Sequence, residues 1–482
     1  MFHRKSTPAE NLSFRGNRRA RHRRGTGHSR FFQTLPRWAL ACTAFLCTLP
    51  AQANPFETTL PNGLKVVVRE DRRAPSAVHM VWYRSGSIDE PEGVTGVAHV
   101  LEHMMFKGTR KVGPGEFNAR IAALGGRDNA FTSRDYTAYF QQIPPAHLGK
   151  VMALEADRMK NLVLSDDAFA REIEVIKEER RLRTDDRPRA LVFEQLMASA
   201  FQAHPYHHPI IGWMTDLETM RAEDARTWYQ RWYAPNNACV VVVGDVDHDD
   251  VFKLARQHYG VLKPAKLPER RISNEPAQRG ARSAVVRAPA ELPYLAMAWK
   301  APPLRDPGAD REVYALQMLA EILDGYNGAR LDRRLVRERR IAVSANASYD
   351  SINRGPALFY LDGTPAPGQS IEALEAALRA ELQRIRDEGV SEAELNRVKT
   401  QALASRIYSR DSLMGQAMEI GQLESTGLSW RDDIRLLAGL RAVTADEVRE
   451  AARRHFDDAS LTTTRLDPLP AAAPAAPGAS KP

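Results

Sequence analysis

Cysteine is scarce in this sequence of 482 residues, which contains three in all. Cys42 and Cys47 lie close to the amino terminus, so the long remainder of the chain holds only Cys239. A single cysteine cannot form an internal disulfide. The composition is otherwise that of a globular protein, at 43% hydrophobic and 27% charged residues, and the length favours at least two domains.

A net positive charge is also lacking over most of the chain, although the whole sequence has a net charge of +8. Residues 1–37 contain ten Lys or Arg and one acidic residue, a net charge of +9, and residues 38–53 carry no charge. The remainder therefore has a net charge of −1. The excess of basic residues is thus confined to residues 1–37, and the rest of the chain lacks the net positive charge typical of nucleic-acid-binding proteins. We therefore expect no nucleic-acid partner.

The uncharged segment at residues 38–53, WALACTAFLCTLPAQA, is too short for a comfortable membrane span. It follows a basic segment and ends in small residues, Ala51 and Ala53, with one residue between them. This arrangement predicts a signal peptide that is cut after Ala53. We therefore expect a periplasmic or secreted protein without a stable membrane span after cleavage. The alternative is a chance apolar stretch in a disordered leader.

A weak internal repeat divides the rest of the chain. LSDDAFAREIEVIKEERR at position 164 and VSEAELNRVKTQALASRI at position 390 share an N-capping serine, early acidic residues and the spacing of apolar positions. The predicted fold class is α+β, with two duplicated domains. The predicted boundaries are a signal peptide with a long basic leader at 1–53, a first domain at 54–262, a linker at 263–284, a second domain at 285–468 and a disordered Pro/Ala tail at 469–482.

The segment GVAHVLEHMMFKGT, residues 96–109, places His99, Glu102 and His103 on one face of a predicted helix. One interpretation is a solvated polar face above an apolar core. The other is a metal site, because imidazoles four positions apart converge on one zinc ion and a carboxylate one turn away can activate water. A pattern this short occurs often by chance, so the residues alone leave both interpretations open.

A catalytic zinc site needs a third protein ligand from elsewhere in the chain. The predicted helix at 165–183 offers Glu172 and Glu179 at the edge of its apolar stripe, whereas Glu174 and Glu178 point away from that stripe. Glu172 and Glu179 are therefore the candidates for an inward role. The alternative is that both are rim carboxylates paired with neighbouring arginines.

His-x-x-Glu-His followed by a glutamate after 75 residues resembles the inverted zinc motif of the M16 metallopeptidases, the pitrilysin/insulinase and mitochondrial-processing-peptidase group. The blocks GGRDNAFTSRDYTAYF, REIEVIKEERRLRTDD and WYAPNNACVVVVGDVD are also similar to that family, and the similarity covers about residues 54 to 468. The resemblance implies two α/β sandwich domains, each a mixed, largely antiparallel sheet covered by helices, that together form half of a clamshell.

The resemblance also implies a zinc metalloendopeptidase with one Zn²⁺ per chain. His99, His103 and Glu179 match the zinc ligands, and Glu102 matches the catalytic general base. Glu172 matches a second glutamate that supports the site from just outside the ligands.

The stretch DNAFTS resembles the family's edge strand, to which a substrate adds as a further β-strand. Asn129, Ala130 and Phe131 would then bind peptide substrates mainly through their backbone, which favours extended or unfolded peptides. Arg337 matches a substrate-binding arginine of the second domain.

One departure from the family bears on assembly. The tyrosine expected seven residues after the arginine falls on Val343 or Ser344, so its hydroxyl is missing, and Tyr349 is merely nearby in sequence. A closed chamber in this family needs four domains, which implies a dimer. A heterodimer with a paralogue that carries the Arg/Tyr pair is favoured over a homodimer.

Two other functional classes compete with the endopeptidase. Ribosylhomocysteine lyases share a domain of this fold and an inverted motif, but they are far shorter. Non-catalytic peptide-binding subunits also occur among paralogues in this family, but they usually lose ligands, and this chain keeps all of them.

Overall fold

The computed structural model describes residues 55–470, which form two helix-covered sheets. The predicted signal peptide and residues 471–482 of the predicted tail lie outside the described residues. The strands of the first half are β1 (Phe56–Thr59), β2 (Lys65–Glu70), β3 (Ala77–Tyr83), β4 (Arg127–Thr132), β5 (Thr137–Ile143) and β6 (Ala238–Gly244). Its helices are α1 (Val97–Met104), α2 (Glu116–Ala123), α3 (Leu148–Asn161), α4 (Asp166–Arg180), α5 (Pro188–Ala200), α6 (Met214–Thr219), α7 (Ala222–Trp232) and α8 (His248–His258).

The second half repeats this plan. Its strands are β7 (Arg282–Pro289), β8 (Tyr294–Ala301), β9 (Ala342–Tyr349), β10 (Ala357–Pro365) and β11 (Leu461–Leu469). Its helices are α9 (Arg311–Asp324), α10 (Ile371–Glu388), α11 (Glu392–Ser409), α12 (Leu413–Thr426), α13 (Asp433–Ala442) and α14 (Ala445–His455). Two wide π-helical turns, Arg181–Asp185 and Asp332–Glu338, follow α4 and precede β9.

Sheet topology shows the duplication directly. The first sheet has the order β1-β2-β6-β3-β5-β4, and the second has the order β7-β11-β8-β10-β9. In each sheet one pair is parallel, β2 with β6 and β7 with β11, and the other pairs are antiparallel. The predicted fold of two duplicated, largely antiparallel sheets covered by helices is confirmed.

The central strands are buried on both faces. Every residue of β3 and β6 is buried, which their continuous apolar sequences AVHMVWY and ACVVVVG require. One face of the first sheet packs on a core that includes α1, α3 and α4. The opposite face packs on Ala417 and Ile420 of α12. A strand without alternation therefore identifies a sheet that is covered twice.

The two halves exchange one helix each. Helix α5, from the first half of the sequence, packs on β7, β8 and β11 of the second sheet. Helix α12, from the second half, packs on β3 and β6 of the first sheet. The two helices occupy equivalent places in the repeat, so the exchange is reciprocal. One face of each sheet is therefore covered by a helix from the other half, so that face is buried only when both halves are present.

Helix α1 begins at a fixed point next to the first sheet. The N-cap residue Gly96 has φ 87°, a left-handed conformation that glycine adopts without strain. The carboxylate of Glu90 accepts hydrogen bonds from the backbone N–H groups of Gly96 (2.9 Å) and Ala98 (2.8 Å). A buried carboxyl group at this position satisfies otherwise unpaired helix donors. The start of α1 is therefore held by an acidic cap from an upstream loop.

No helix among residues 55–470 has both the length and the apolar character that crossing a bilayer requires.

Candidate metal centre

Helix α1 and helix α4 lie side by side and bring the predicted ligands together. The possible ligand atoms of His99, His103 and Glu179 all lie within 4.8 Å of one another. Glu179 Oε2 is 3.7 Å from His99 Nε2 and 3.2 Å from His103 Nε2. Tetrahedral ligands at about 2.0–2.1 Å from zinc are about 3.3 Å apart, so these separations match zinc coordination. We call these three residues the ligand cluster.

Unpaired buried atoms in the ligand cluster provide a test of whether a metal fits. Glu179 Oε2 is buried and makes no hydrogen bond of good geometry among the described residues, although His103 Nε2 lies 3.2 Å away. The other oxygen, Oε1, pairs with Arg183 at 2.8 Å. A buried carboxylate oxygen without a partner is costly, and a divalent cation between it and two imidazole nitrogens would satisfy it. The two-nitrogen, one-oxygen donor set fits zinc.

Glu172 lies behind His103 rather than in the ligand cluster. His103 Nδ1 is 2.9 Å from Glu172 Oε1, and Lys107 Nζ is 2.5 Å from Glu172 Oε2. An ionised carboxylate only accepts hydrogen bonds, so His103 donates from Nδ1 to Glu172, and its Nε2, on the side of Glu179, is the nitrogen that would bind a metal. The structure thus places Glu172 where it fixes the tautomer and orientation of a candidate ligand.

The pKa values in the ligand cluster show opposing effects of burial and charge. Burial, followed by the neighbouring His103, lowers the pKa of His99 to about 4. Burial also acts to lower the pKa of His103, but hydrogen bonding to Glu172 and the nearby Glu179 outweigh it and raise that pKa to about 9. The adjacent His103 imidazole, against the effect of burial, lowers the pKa of Glu179 to about 2. A cation at this position therefore competes with a proton for the same atoms.

Glu102 lies between the two histidines in sequence but makes different contacts. Its Oε2 accepts a hydrogen bond of 2.5 Å from the hydroxyl of Thr132 on β4, and it is not part of the ligand cluster. Burial raises the pKa of Glu102 above its ordinary value, and the Thr132 hydrogen bond partly offsets that rise. A free carboxylate with a raised pKa has the properties of a general base and acid.

Strand β4 forms the open edge of the first sheet. The backbone N–H of Ala130 donates to the side-chain Oδ1 of Asn129 at 2.9 Å instead of to a neighbouring strand. Ala130 packs on the side of the sheet that carries α1, whereas Phe131 packs against Trp82 on the opposite face. Backbone groups of this edge are thus available next to Glu102, and the Phe131 side chain belongs to the core.

The structure does not bring Arg337 to the ligand cluster. Its guanidinium pairs with Asp332 at 2.7 Å, it is mostly exposed, and among residues 55–470 no hydrogen bond or ion pair joins it to the cluster. At the position of the missing tyrosine, Val343 is 52% exposed. The hydroxyl of Tyr349 donates to the carbonyl oxygen of Pro302, so that hydroxyl is already engaged within the second half.

Three supporting residues are absent from the sequence-based set of site residues: Thr132, Lys107 and Arg183. Lys107 follows His103 by four positions and Arg183 follows Glu179 by four, so helical spacing alone suggests both neighbours. Thr132 reaches Glu102 from a different element, and helical periodicity contains no signal for it. Glu179 is both a candidate ligand and a partner of Arg183, so the two sequence interpretations of this residue are compatible.

Glu174 and Glu178 lie outside the site, as their helical positions predict. Glu174 pairs with Lys177 and Glu178 pairs with Arg181 on the exposed face of α4. Among the described residues, a second possible metal group consists of Glu70, Asp247 and His248. Its carboxylates already cap the start of α8, since they accept hydrogen bonds from its first backbone N–H groups.

Comparison with known proteins identifies the family. The family model described as insulinase (peptidase family M16) matches residues 65–213, and the model described as the peptidase M16 inactive domain matches residues 219–402. The zinc protease PqqE of Helicobacter pylori is 33% identical over 420 residues, which cover 85% of this chain and 92% of that protein. The chain belongs to the M16 peptidase family.

Other M16 relatives agree with this assignment. A probable mitochondrial-processing peptidase subunit beta of Arabidopsis thaliana is 26% identical, with coverage of 86% of this chain and 78% of that protein. A crystal structure of a Helicobacter pylori protease has a TM-score of 0.81 at 30% identity, covering 86% of this chain and 99% of that chain. Several relatives of this M16 chain are named zinc proteases, so the chain belongs to a family that contains zinc proteases.

The fold also matches a longer M16-like chain. The periplasmic protease PqqL of Escherichia coli has a TM-score of 0.75 at 22% identity, covering 89% of this chain but 50% of that chain. At this identity the likeness shows the fold alone. In fold, this M16 chain thus corresponds to half of PqqL.

Proposed function

We propose that the protein is a zinc endopeptidase that binds one zinc ion per chain and cleaves extended or unfolded peptides. The observation that carries the proposal is the convergence of His99, His103 and Glu179 beside a carboxylate, Glu102, that is left free of the cluster. A half-buried carboxylate of raised pKa beside a possible metal site is typical of a catalytic rather than a purely structural site. The M16 family membership supports the same conclusion.

Zinc, when bound, would supply Lewis-acid chemistry, which polarises a peptide carbonyl and makes water a nucleophile near neutral pH. The residues of the chain supply the rest. Glu102 takes the proton of the attacking water on its carboxylate and delivers it to the leaving amine. The Thr132 hydroxyl holds Glu102 Oε2, and Glu172 holds His103 Nδ1, so base and ligand keep fixed directions.

Substrate binding is assigned to the open edge of β4. A peptide that pairs with Asn129, Ala130 and Phe131 would replace the Asn129 side chain as acceptor for the Ala130 N–H. The paired peptide would lie next to Thr132, the residue that contacts Glu102. Recognition through backbone hydrogen bonds demands a free strand, which a folded protein rarely offers. Arg337 would contribute to substrate binding only within an assembled chamber.

We further propose that the protein works as a dimer, preferably with a paralogue that carries the Arg/Tyr pair. The chain matches the fold of half of PqqL, and the Tyr349 hydroxyl is already bonded to Pro302. We also propose that the protein is exported to the periplasm or outside the cell and that its signal peptide is cut after Ala53. Peptidase activity of the chain alone and after mixing with such a paralogue decides between the dimers. Full activity alone, unchanged on mixing, would reject the heterodimer.

The endopeptidase proposal is tested with one unfolded and one folded substrate. An unstructured peptide and a stable globular protein are offered to the purified chain, with and without a chelator. We expect cleavage of the unstructured peptide only, loss of activity with the chelator and recovery on addition of zinc. Peptide binding without cleavage at any zinc concentration, both for the chain alone and for its mixture with the paralogue, would instead indicate a non-catalytic subunit. Rapid cutting of the folded protein would contradict the edge-strand mode.

A further inference from the structure

Two equivalent hairpin loops, one from each half, meet beside α1. The loop between β4 and β5, residues 133–136, contacts the loop between β9 and β10, residues 350–356, through Arg354. Arg354 also contacts the loop before α1 at Asp89. We call Asp89, Asp135, Tyr206, Arg270 and Arg354 the Arg354 cluster.

Arg354 is the residue of the second half that makes most of these contacts. Its guanidinium donates to both oxygens of Asp89, from Nη1 at 2.7 Å and from Nη2 at 2.9 Å. Nη1 also donates to the backbone carbonyl of Asp135 at 3.2 Å, and the Arg354 backbone N–H donates to the Asp135 carboxylate at 3.0 Å. Such a bidentate arrangement is specific to arginine, because its guanidinium presents a planar fork of donors.

The two aspartates of the Arg354 cluster have buried side chains, and each has polar partners. The side chain of Asp89 is 1% exposed and that of Arg354 is 13% exposed. Arg270 adds a second guanidinium to Asp89 at 3.0 Å, and the hydroxyl of Tyr206 donates to Asp135 at 2.6 Å. Both guanidiniums pair with Asp89, whereas the Asp135 carboxylate accepts hydrogen bonds from the Tyr206 hydroxyl and the Arg354 backbone N–H. Breaking a buried pair of this kind leaves an uncompensated charge, which is strongly destabilising.

Both aspartates lie close in sequence to residues that position the candidate active site. Asp89 precedes Glu90, whose carboxylate caps the first backbone N–H groups of α1. Asp135 lies in the loop that follows Thr132, the residue that holds Glu102. The same loop is pressed against Gly86, where an added Cβ would lie 2.5 Å from the carbonyl oxygen of Ser133. Arg354 therefore connects to the start of the ligand-bearing helix and to the end of the substrate-binding edge.

We propose that Arg354 is a positioning residue, through which the second half sets the relative placement of β4, Thr132 and Glu102 for peptide cleavage. This inference rests on the proposed endopeptidase function. It gives Arg354, which lies within the residues 219–402 matched by the inactive-domain model, a role in the reaction of the first half. Arg354 touches no candidate ligand, so zinc binding is independent of it.

The test compares two variants of the full-length chain that each remove an ion pair between the halves. Arg354→Met breaks the Arg354 cluster. Lys65→Met removes the pairs of Lys65 Nζ on β2 with Glu424 Oε2 on α12, 2.8 Å away, and with Glu57 Oε2 on β1, 3.1 Å away. Among residues 55–470 no hydrogen bond or ion pair joins the side chain of Lys65 or Glu424 to α1 or β4. For each variant, kcat, KM, bound zinc, the melting temperature and amide hydrogen exchange of residues 127–137 are measured.

We expect both variants to melt at lower temperature and both to keep one zinc per chain. Only Arg354→Met should exchange faster over residues 127–137 and lose about 10- to 100-fold in kcat, because a misplaced base is costly while KM changes less. Arg354→Lys, which keeps the charge but not the fork, should have an intermediate kcat.

The proposal fails if folded Arg354→Met has the kcat of the unmodified chain, or if Lys65→Met loses kcat by the same factor. If Arg354→Met does not fold, Arg354→Lys decides: kcat and exchange equal to those of the unmodified chain would reject the positioning role. An unmodified chain that binds zinc but cleaves no peptide would refute the proposed function instead, and the exchange measurement would still report on the Arg354 cluster.

Discussion

Replacing Glu172 by glutamine should weaken zinc binding about 10- to 100-fold, the usual effect of removing a carboxylate that orients a histidine ligand. His103 Nδ1 and Lys107 Nζ both donate to this carboxylate, at 2.9 and 2.5 Å. A glutamine has one accepting oxygen, so its NH₂ group must face one of the two donors. The expected change corresponds to about 1.4–2.7 kcal/mol in binding free energy.

The assay is a competition titration of zinc against a chromogenic chelator at neutral pH. Glu174→Gln is the matched control, because Glu174 lies on the same helix but is exposed and pairs with Lys177. We expect the control to bind zinc as tightly as the unmodified protein. Equal affinity for Glu172→Gln and Glu174→Gln would refute the assigned role of Glu172. A complete loss of zinc in Glu172→Gln would show that Glu172 is itself a ligand.

Three further changes have definite expected outcomes. In Thr132→Val the hydrogen bond that lowers the pKa of Glu102 is lost, so the acid limb of kcat/KM should move to higher pH; an unmoved limb would contradict this. In urea denaturation, Gly421→Ala should lower the free energy of unfolding by about 1–3 kcal/mol, because its Cβ would overlap the Trp82 ring. The control Gly280→Ala, whose Cβ would have no atom within 4 Å, should change the free energy of unfolding little. Zinc at about 100 times its dissociation constant should stabilise the protein by about 2.7 kcal/mol, raising the melting temperature, and an unchanged value would argue against a site specific to the folded state.

Patterns within single helices were sufficient to predict which side chains of α1 and α4 face the candidate site. The faces of α1 and α4 follow from 3.6-residue periodicity, and that periodicity separates Glu172 and Glu179 from Glu174 and Glu178. The local pattern does not say which carboxylate binds metal and which orients His103. That difference depends on how far along its length α4 meets α1, which is a property of packing.

Other features depend on contacts between distant parts of the chain. The apolar residues of α5 predict that it packs on a sheet, but nothing in them specifies the second sheet rather than the first. The hydrogen bond between Thr132 and Glu102 and the contacts of Arg354 likewise join separate elements. Such pairs have no characteristic spacing in a single sequence, so they become visible only in the folded chain.

Glu102→Gln is the most direct test of the proposed zinc site, formed by α1 and α4, and of its separate base on α1. Bound zinc and peptide turnover are measured on the same preparation of this variant. Glu102 is outside the ligand cluster, so we predict one zinc per chain, as in the unmodified protein, with kcat reduced by about 10²- to 10⁴-fold. Undiminished turnover in zinc-loaded Glu102→Gln, or loss of the zinc itself, would contradict the account.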